Sequence, residues 1–291
     1  MRIATSQLYD APTARMASLT AQSDKLQGQI ATGTRITAPS DDVPSWQRLV
    51  RLDQADANDT AYSANVKLAQ GLLAQTDSTL GSVQSDLQRA QEIAVNAGNG
   101  TMSPDNLKAL GTELSEILGD LLNLANTRDV RGQYVFGGAD GSAPYAQAAD
   151  GSVGYAGTGE PAAVPIADGS AVSTGMTGDK AFGAMFGALQ SLRDALMAGN
   201  PAPAETSDAI KSISAGVDTA RASVGARAIR VDLESDRLTD AAATRDTTRQ
   251  GIDSVDTASA ITELQKTLTI LQATQSSFTK LANLSLFDYL Q

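Results

Sequence analysis

Apolar side chains recur along most of this chain at alternating steps of three and four. Near the C-terminus the run is Ile261, Leu264, Leu268, Leu271, Gln275 and Phe278, and near the N-terminus it is Leu19, Ser23, Leu26 and Ile30. A stripe this narrow suits one helix packing on another rather than a helix lying on a sheet. The N-terminal pattern predicts a helix over residues 13–32 that stops at Gly33. Two prolines and a Ser/Asp cluster in Thr34–Pro44 predict a turn followed by a new helix start. The second helix is expected over about 44–97, with a seam of Leu73, Thr76, Leu80, Val83, Leu87, Ala90 and Ala94, and Gly98-Asn99-Gly100 as its stop. Ser103-Pro104-Asp105 reads as an N-cap, a proline at the first helical position and an acid in the first turn. Leu107, Leu110, Leu114, Ile117, Leu121 and Leu124 then mark a third helix, paired antiparallel with the second.

The rhythm is lost after Arg131. Residues 137–178 hold ten of the 25 glycines. Asp140-Gly141, Asp150-Gly151 and Asp168-Gly169 are hairpin-turn signals, and Ser152–Tyr155 and Val164–Ile166 read as strands. The stretch is either a small β-rich insertion or a glycine-rich loop without fixed structure. Helical spacing returns with Phe182, Met185, Phe186, Leu189, Leu192 and Leu196, in a helix expected from Lys180 to a stop at Gly199-Asn200-Pro201. A long helix follows through Ile210, Ile213, Val217, Ala220, Val224, Arg227 and Val231 to about Gln250. Gly251 is expected to interrupt it, and the terminal helix starts near Asp253.

Composition sharpens this reading. With 291 residues the chain is long enough for two modest domains. Aromatics are only 4%, so the core is built from Leu, Ile, Val and Ala, which favours helix-on-helix packing. A net charge of −11 argues against nucleic acid as the main partner. Residues 1–38 hold four basic and two acidic side chains and residues 255–291 two and three, a balance of +1 that leaves −12 for the residues between. Near-neutral ends can pack on copies of themselves, while the acidic middle keeps the surface soluble. With no cysteine there is no disulfide, thiolate site or Cys nucleophile, and with no histidine the commonest general base and metal ligand is missing. No apolar run follows Met1, so no cleavable signal is expected, and no stretch approaches the roughly 20 apolar residues of a membrane span.

Candidate chemistry is sparse. Asp41 and Asp42 are adjacent carboxylates, but no third ligand group accompanies them, and capping of the following helix is the better account. Gly137-Gly138 and Gly157-Thr158-Gly159 lack the lysine and the strand–helix context of a phosphate loop. Arg221 and Arg227, on an acid-rich helix, read as solvated ion-pair partners. Trp46 reads as a packing residue. The final stretch keeps Leu284, Leu286, Phe287, Tyr289 and Leu290 apolar, although chain ends are normally frayed and polar unless tied down. These side chains either fold back on the core or insert into another subunit.

Several segments resemble a known family. Met1-Arg2-Ile3-Ala4-Thr5-Ser6-Gln7-Leu8-Tyr9 resembles the N-terminus of the flagellar hook-associated protein 3 family, the junction branch of the flagellin superfamily. Ile30–Ile36 followed by Pro39-Ser40-Asp41-Asp42 is similar to the signature this branch shares with flagellins. Leu121–Thr127 with Gly132–Gly138 is similar to the stretch where this branch leaves its helical domain, and Val224–Arg227 resembles the start of its returning long helix, so the likeness covers both edges of the insertion. The closing Leu284–Leu290 resembles the junction branch more than flagellin. Val43 departs from the pattern, standing where the family commonly has proline directly after the acids.

The expectation is therefore a mainly α fold of nested long helices, a terminal coiled coil plus a helical bundle, with a small β-rich insertion. Residues 1–42 and 251–291 would form a terminal polymerisation domain, 43–136 and 181–250 a bundle, and 137–180 an outward-facing insertion. The resemblance implies a non-enzymatic structural subunit of the bacterial flagellum, joining the hook side to the flagellin filament. It implies export without a cleaved signal through the flagellar type III apparatus to an extracellular site. Implied partners are further copies of the chain, the neighbouring hook-associated protein, flagellin and an export chaperone, with no nucleic acid, membrane, cofactor or metal. The assembly residues would be Leu19, Leu26, Ile30, Ile261, Leu264, Leu268, Leu271, Phe278, Leu284, Leu286, Phe287 and Leu290. Alternatives are a flagellin-like filament or surface protein, and a polysaccharide-binding protein on a helical stalk. Tyr145 and Tyr155 are nearly the only aromatics within 137–180, which argues against the last.

Overall fold

The computed structural model describes residues 2–139, 142–149 and 151–288, with the side chains of residues 2–9 and 281–288 outside that description. The fold is mainly α, with two small two-stranded sheets. Helix α1 spans Arg2–Thr32, α2 Val43–Gly98 and α3 Pro104–Ala125. Strands β1 (Tyr145–Gln147), β2 (Val153–Tyr155), β3 (Ala163–Ala167) and β4 (Ser170–Ser173) follow. Helices α4 (Gly178–Phe182), α5 (Met185–Met197), α6 (Thr206–Asp253) and α7 (Thr257–Asp288) complete the chain.

Two compact units are present, one made of residues 1–57 and 241–291 and the other of 58–240. The Thr34–Pro44 turn, read from sequence as a boundary, lies inside the first of these.

In the second unit the core runs along the predicted seams. Leu80, Leu87, Leu114, Leu121, Leu189 and Val217 are fully buried. Ser103 caps α3 by accepting the Asn106 N–H at 3.3 Å, with Pro104 next in line. Helix α3 packs on α5 so closely that a Cβ on Gly111 would sit 3.1 Å from the backbone nitrogen of Met197. Arg89 of α2 meets Glu113 of α3 at 2.6 Å.

The single helix expected from Lys180 is split. Gly183 adopts a φ of +52°, ending α4 before α5 begins. At the far end, α6 runs through Gly251 to Asp253, and the break falls three residues later than expected. An isolated glycine does not stop a helix whose neighbours keep their hydrogen bonds. The break comes where Asp256 accepts the N–H groups of Ala258 and Ser259, at 3.1 and 3.2 Å, and so caps α7.

The glycine-rich stretch is two antiparallel hairpins. Tyr145 pairs with Tyr155 and Gln147 with Val153, while Val164 pairs with Val172. Gly169, in the second turn, has a φ of +64° that only glycine adopts freely. Asp140, Gly141 and Asp150 lie outside the described residues. The hairpins share the helical core: Phe136 meets Phe182 with ring centroids 4.7 Å apart, and Tyr145 meets Phe186 at 4.9 Å. Asn126, past the end of α3, clamps β1 with both ends of its amide, donating to the Tyr145 carbonyl at 2.9 Å and accepting its N–H at 3.1 Å.

Candidate assembly interface

Helices α1 and α7 pair within the first unit. On α1 the covered stripe is Leu19, Ser23, Leu26 and Ile30, with Gln29 beside it. Ser23 and Gln29 are buried, and the three aliphatic residues are half-buried. On α7 the covered stripe is Ala260, Leu264, Thr267, Leu271 and Phe278. Ala260 and Thr267 are buried, the others half-buried. The most enclosed positions are thus small or polar, and the large side chains straddle them with part of their surface in water. A lone helix pair has one mutual face and encloses nothing on its outer sides.

The predicted C-terminal seam therefore divides. Leu264, Leu271 and Phe278 face into the pair, whereas Ile261 and Leu268 lie outside it, each 44% exposed. Ile270, which the sequence reading did not select, is 43% exposed. At 3.6 residues per turn, positions seven apart stay within about 20° of one another, whereas each alternating step of three or four turns by about 40–60°. These steps set Ile261 and Leu268 to one side of Leu264, Leu271 and Phe278, and α1 covers only the second line. Leu284, Leu286 and Phe287 lie on α7, but their side chains are outside the described residues, as is all of Leu290.

A double turn closes the pair. Gly33 leaves α1 with a φ of +70°. Arg35 then donates its N–H to the Asp253 carbonyl at 2.6 Å, and the Ile36 N–H reaches the Asp253 carboxylate at 2.7 Å. Val255 N–H returns to the Gly33 carbonyl at 3.1 Å. Asp41 Oδ2 accepts the N–H groups of Thr37 and Ala38, at 2.9 and 3.0 Å, while Lys25 of α1 reaches its other oxygen at 2.6 Å. The Lys25 ammonium first, then these two N–H groups, hold the Asp41 carboxyl far below the usual carboxylate range. Asp42 accepts the Ser45 N–H at 3.1 Å and opens α2. The two acids are thus turn and cap residues. Among the described residues no group of three or more Asp and Glu is placed to hold a metal ion.

Further along, Arg245 and Arg249 of α6 form a ladder with Asp53 and Asp56 of α2. Arg245 reaches Asp56 at 2.5 Å, and Arg249 reaches Asp53 at 2.5 Å and Asp56 at 2.7 Å. Arg245 foremost lowers the Asp56 carboxyl, against the opposing effect of desolvation. The sequence reading missed this ladder. Its signal was a pair of arginines four apart on one helix and aspartates three apart on another. Arg221 is an ion-pair partner, with Asp77 at 3.1 Å. Arg227 is not: it is half-buried and donates to the carbonyls of Ser173 and Gly175, at 3.0 and 2.8 Å, tying the end of β4 to α6. Burial lowers its guanidinium below the usual value.

Comparison with known proteins places this arrangement. The bacterial flagellin N-terminal helical region matches residues 3–140, and the flagellin C-terminal helical region matches residues 207–290. The chain belongs to the flagellin family. To within one residue, the two matches take in its helical ends, α1 with α2 and α6 with α7, and the two hairpins lie between them. Flagellar hook-associated protein 3 of Salmonella typhimurium is 38% identical over 152 residues, covering 52% of this chain and 48% of that protein, so this match spans about half of that relative's length. The protein of the same name from Escherichia coli is 28% identical over 317 residues, covering 99% of each chain. Flagellin of Listeria monocytogenes is 31% identical over 101 residues, 35% of each chain.

Among solved structures, a putative flagellar hook-associated protein from Vibrio parahaemolyticus has a TM-score of 0.68 at 20% identity, covering 74% of this chain and all of that one. Flagellar hook-associated protein 3 from Legionella pneumophila has a TM-score of 0.63 at 16% identity, covering 69% and 99%. These two support the fold.

Proposed function

We propose that this flagellin-family chain is a structural subunit of the bacterial flagellum that joins the hook side of the axial structure to the flagellin filament. The observation that carries the reading is the incomplete burial of the terminal pair. After α1 and α7 have met, Ile261, Leu268 and Ile270 still stand in solvent, and the leucines of the inner stripe are only half covered. Completing the burial of one such side chain is worth about 1 kcal/mol, and repetition along the pair makes assembly favourable without further chemistry. Copies of the chain, a neighbouring hook-associated protein and flagellin would supply the missing surfaces. Isolated helices with one apolar stripe are marginal until packed, so the ends would be suited to passage as an unfolded chain through an export channel, with a chaperone covering them beforehand. The near-full-length similarity to the Escherichia coli hook-associated protein supports the junction role over that of the bulk filament protein.

The test is electron microscopy of purified flagella labelled with antibody against residues 43–250. A single band where hook meets filament is the expected result. Label along the whole filament would make the chain a flagellin, a reading that the 31% identity to Listeria flagellin keeps in play. Absence of label from flagella would overturn both.

A further inference from the structure

Three large aliphatic side chains stand furthest into solvent among the described residues, and all belong to the second unit: Val130 at 81% exposed, Leu233 at 65% and Ile229 at 64%. Val130 caps a braced turn. Asp129 N–H donates to the Gln133 carbonyl at 2.7 Å, and Val135 N–H to that of Thr127 at 3.0 Å. The Asp129 carboxylate accepts the N–H groups of Arg131 and Gln133 at 2.8 and 3.0 Å and pairs with the Arg131 side chain. Burial raises the Asp129 carboxyl, but these donors outweigh it and leave it lowered. Gly132 supplies a φ of +79°, and the Arg128 guanidinium lies 4.2 Å over the Tyr134 ring. The turn cannot fold Val130 back without breaking these bonds. A rigid support of this kind loses little conformational freedom when it binds. Ile229 and Leu233, four residues apart on α6, form a two-residue aliphatic ridge.

The turn and the ridge lie at nearly the same level. Gln75 of α2 donates to the Arg128 carbonyl at 2.8 Å, and Gln70 of α2 donates to Asp232 at 2.8 Å. Five helical residues separate these anchors, a rise of about 7 Å and a rotation of about 140°. Turn and ridge therefore flank α2 on different sides at similar height. We infer that the Val130 turn of one copy docks on the Ile229–Leu233 ridge of a second copy of this chain, in a head-to-tail lateral contact. The inference rests on the assembly reading above and adds to the terminal helices a second, chemically defined interface.

Three arguments select a second copy as the occupant. A head-to-tail contact between unlike patches offset by only about 7 Å repeats around an axis, as a shallow helix or, where the rotation closes, a ring. The charges also complement one another. Arg128 and Arg131 outweigh Asp129 beside Val130, while Asp232 and Asp236 outweigh Arg230 beside the ridge, where Arg237 and Glu234 neutralise each other. Finally, one valine on two aliphatic side chains covers far less than the roughly 1,200 Å² of a stable standalone complex. Such a contact forms only where other contacts already hold the partner in place, as they do for neighbouring copies in an assembly.

The chain has no cysteine, so introduced thiols report cleanly. Full-length V130C/I229C chain would be expressed in place of the native copy, and isolated flagella oxidised mildly and run on a non-reducing gel. The expected result is a ladder of dimers and higher species, at least tenfold stronger than from either single variant. Normal amounts of the chain in flagella, with no ladder from this variant or from V130C/L233C, would overturn the proposal while leaving the assembly reading intact. A dimer from V130C alone would also overturn it, because it would mean a two-fold contact. Absence of even the wild-type chain from flagella would overturn the assembly reading and this proposal with it.

Discussion

Tyr145 is 4% exposed, its ring packs against Phe182 and Phe186, and its buried hydroxyl, close to Gly178, has no hydrogen-bond partner among the described residues. Burial pushes that hydroxyl well above the usual phenol range, so it stays protonated at any pH the protein meets. A buried polar group without a partner costs about 1–3 kcal/mol. Tyr145→Phe is therefore expected to leave thermal stability unchanged or to raise it by about 1 kcal/mol, as followed by circular dichroism. A loss of more than that would mean the hydroxyl has a partner. Asp41 has the opposite balance. Its carboxyl is depressed by Lys25 and the turn N–H groups, so its contribution is present above the ordinary carboxylate value of about 4 and is lost as pH falls below it. Hydrogen-exchange protection of the Thr37 and Ala38 amides is expected to drop over that acid range in the wild type. In Asp41→Asn it should be low and flat with pH; an unchanged acid-dependent drop in that variant would remove Asp41 from the account.

At the scale of elements, capping and turn residues were legible because they act locally. Ser103-Pro104, Gly33 and the Asp42 cap need only their neighbours in sequence. Partner choice was not legible. The α3–α5 approach depends on Gly111 meeting Met197, two residues with no mark in the one-dimensional pattern. A Cβ there would press on the Met197 backbone, which cannot yield as a side-chain end can. Gly111→Val is expected to destabilise the second unit by about 1–3 kcal/mol in denaturant unfolding. An effect below about 0.5 kcal/mol would show that the helices separate freely. Arg227 differs for a related reason: an arginine on an acidic helix predicts ion pairs, but α6 brings this one to the carbonyls of Ser173 and Gly175. Gly183, which splits the expected helix, is visible in sequence only as one glycine among many.

At the scale of the whole molecule, the apolar stripes were legible but not what covers each of them. Leu19, Leu26 and Ile30 fall on one stripe of α1, which α7 of the same chain covers. The α7 residues separate into an inner set, with Leu264, Leu271 and Phe278, and an outer set, with Ile261 and Leu268. That separation sharpens the main test. Leu268→Asp places a charge on the outer face, where it disturbs neither the α1–α7 stripe nor the second unit. The expected outcome is an unchanged melting transition, within about 0.5 kcal/mol, together with loss of the chain from assembled flagella on immunoblots. Normal incorporation would remove the outer face from the assembly surface.

The sequence by itself determined the helical class, the local stops and caps at Gly33, Asp42 and Ser103, the hairpin turn at Asp168-Gly169 and the absence of histidine and cysteine chemistry. These follow from periodicity, backbone conformation and residue inventory, which are properties of a chain and its near neighbours. Only the tertiary structure decided which of two adjacent apolar stripes on α7 is already covered, which helix α3 packs on, and that Asp253 receives the Arg35–Ile36 turn from 217 residues away. Burial is a property of pairs of surfaces, and a single strand of letters specifies each surface without stating which other surface will cover it.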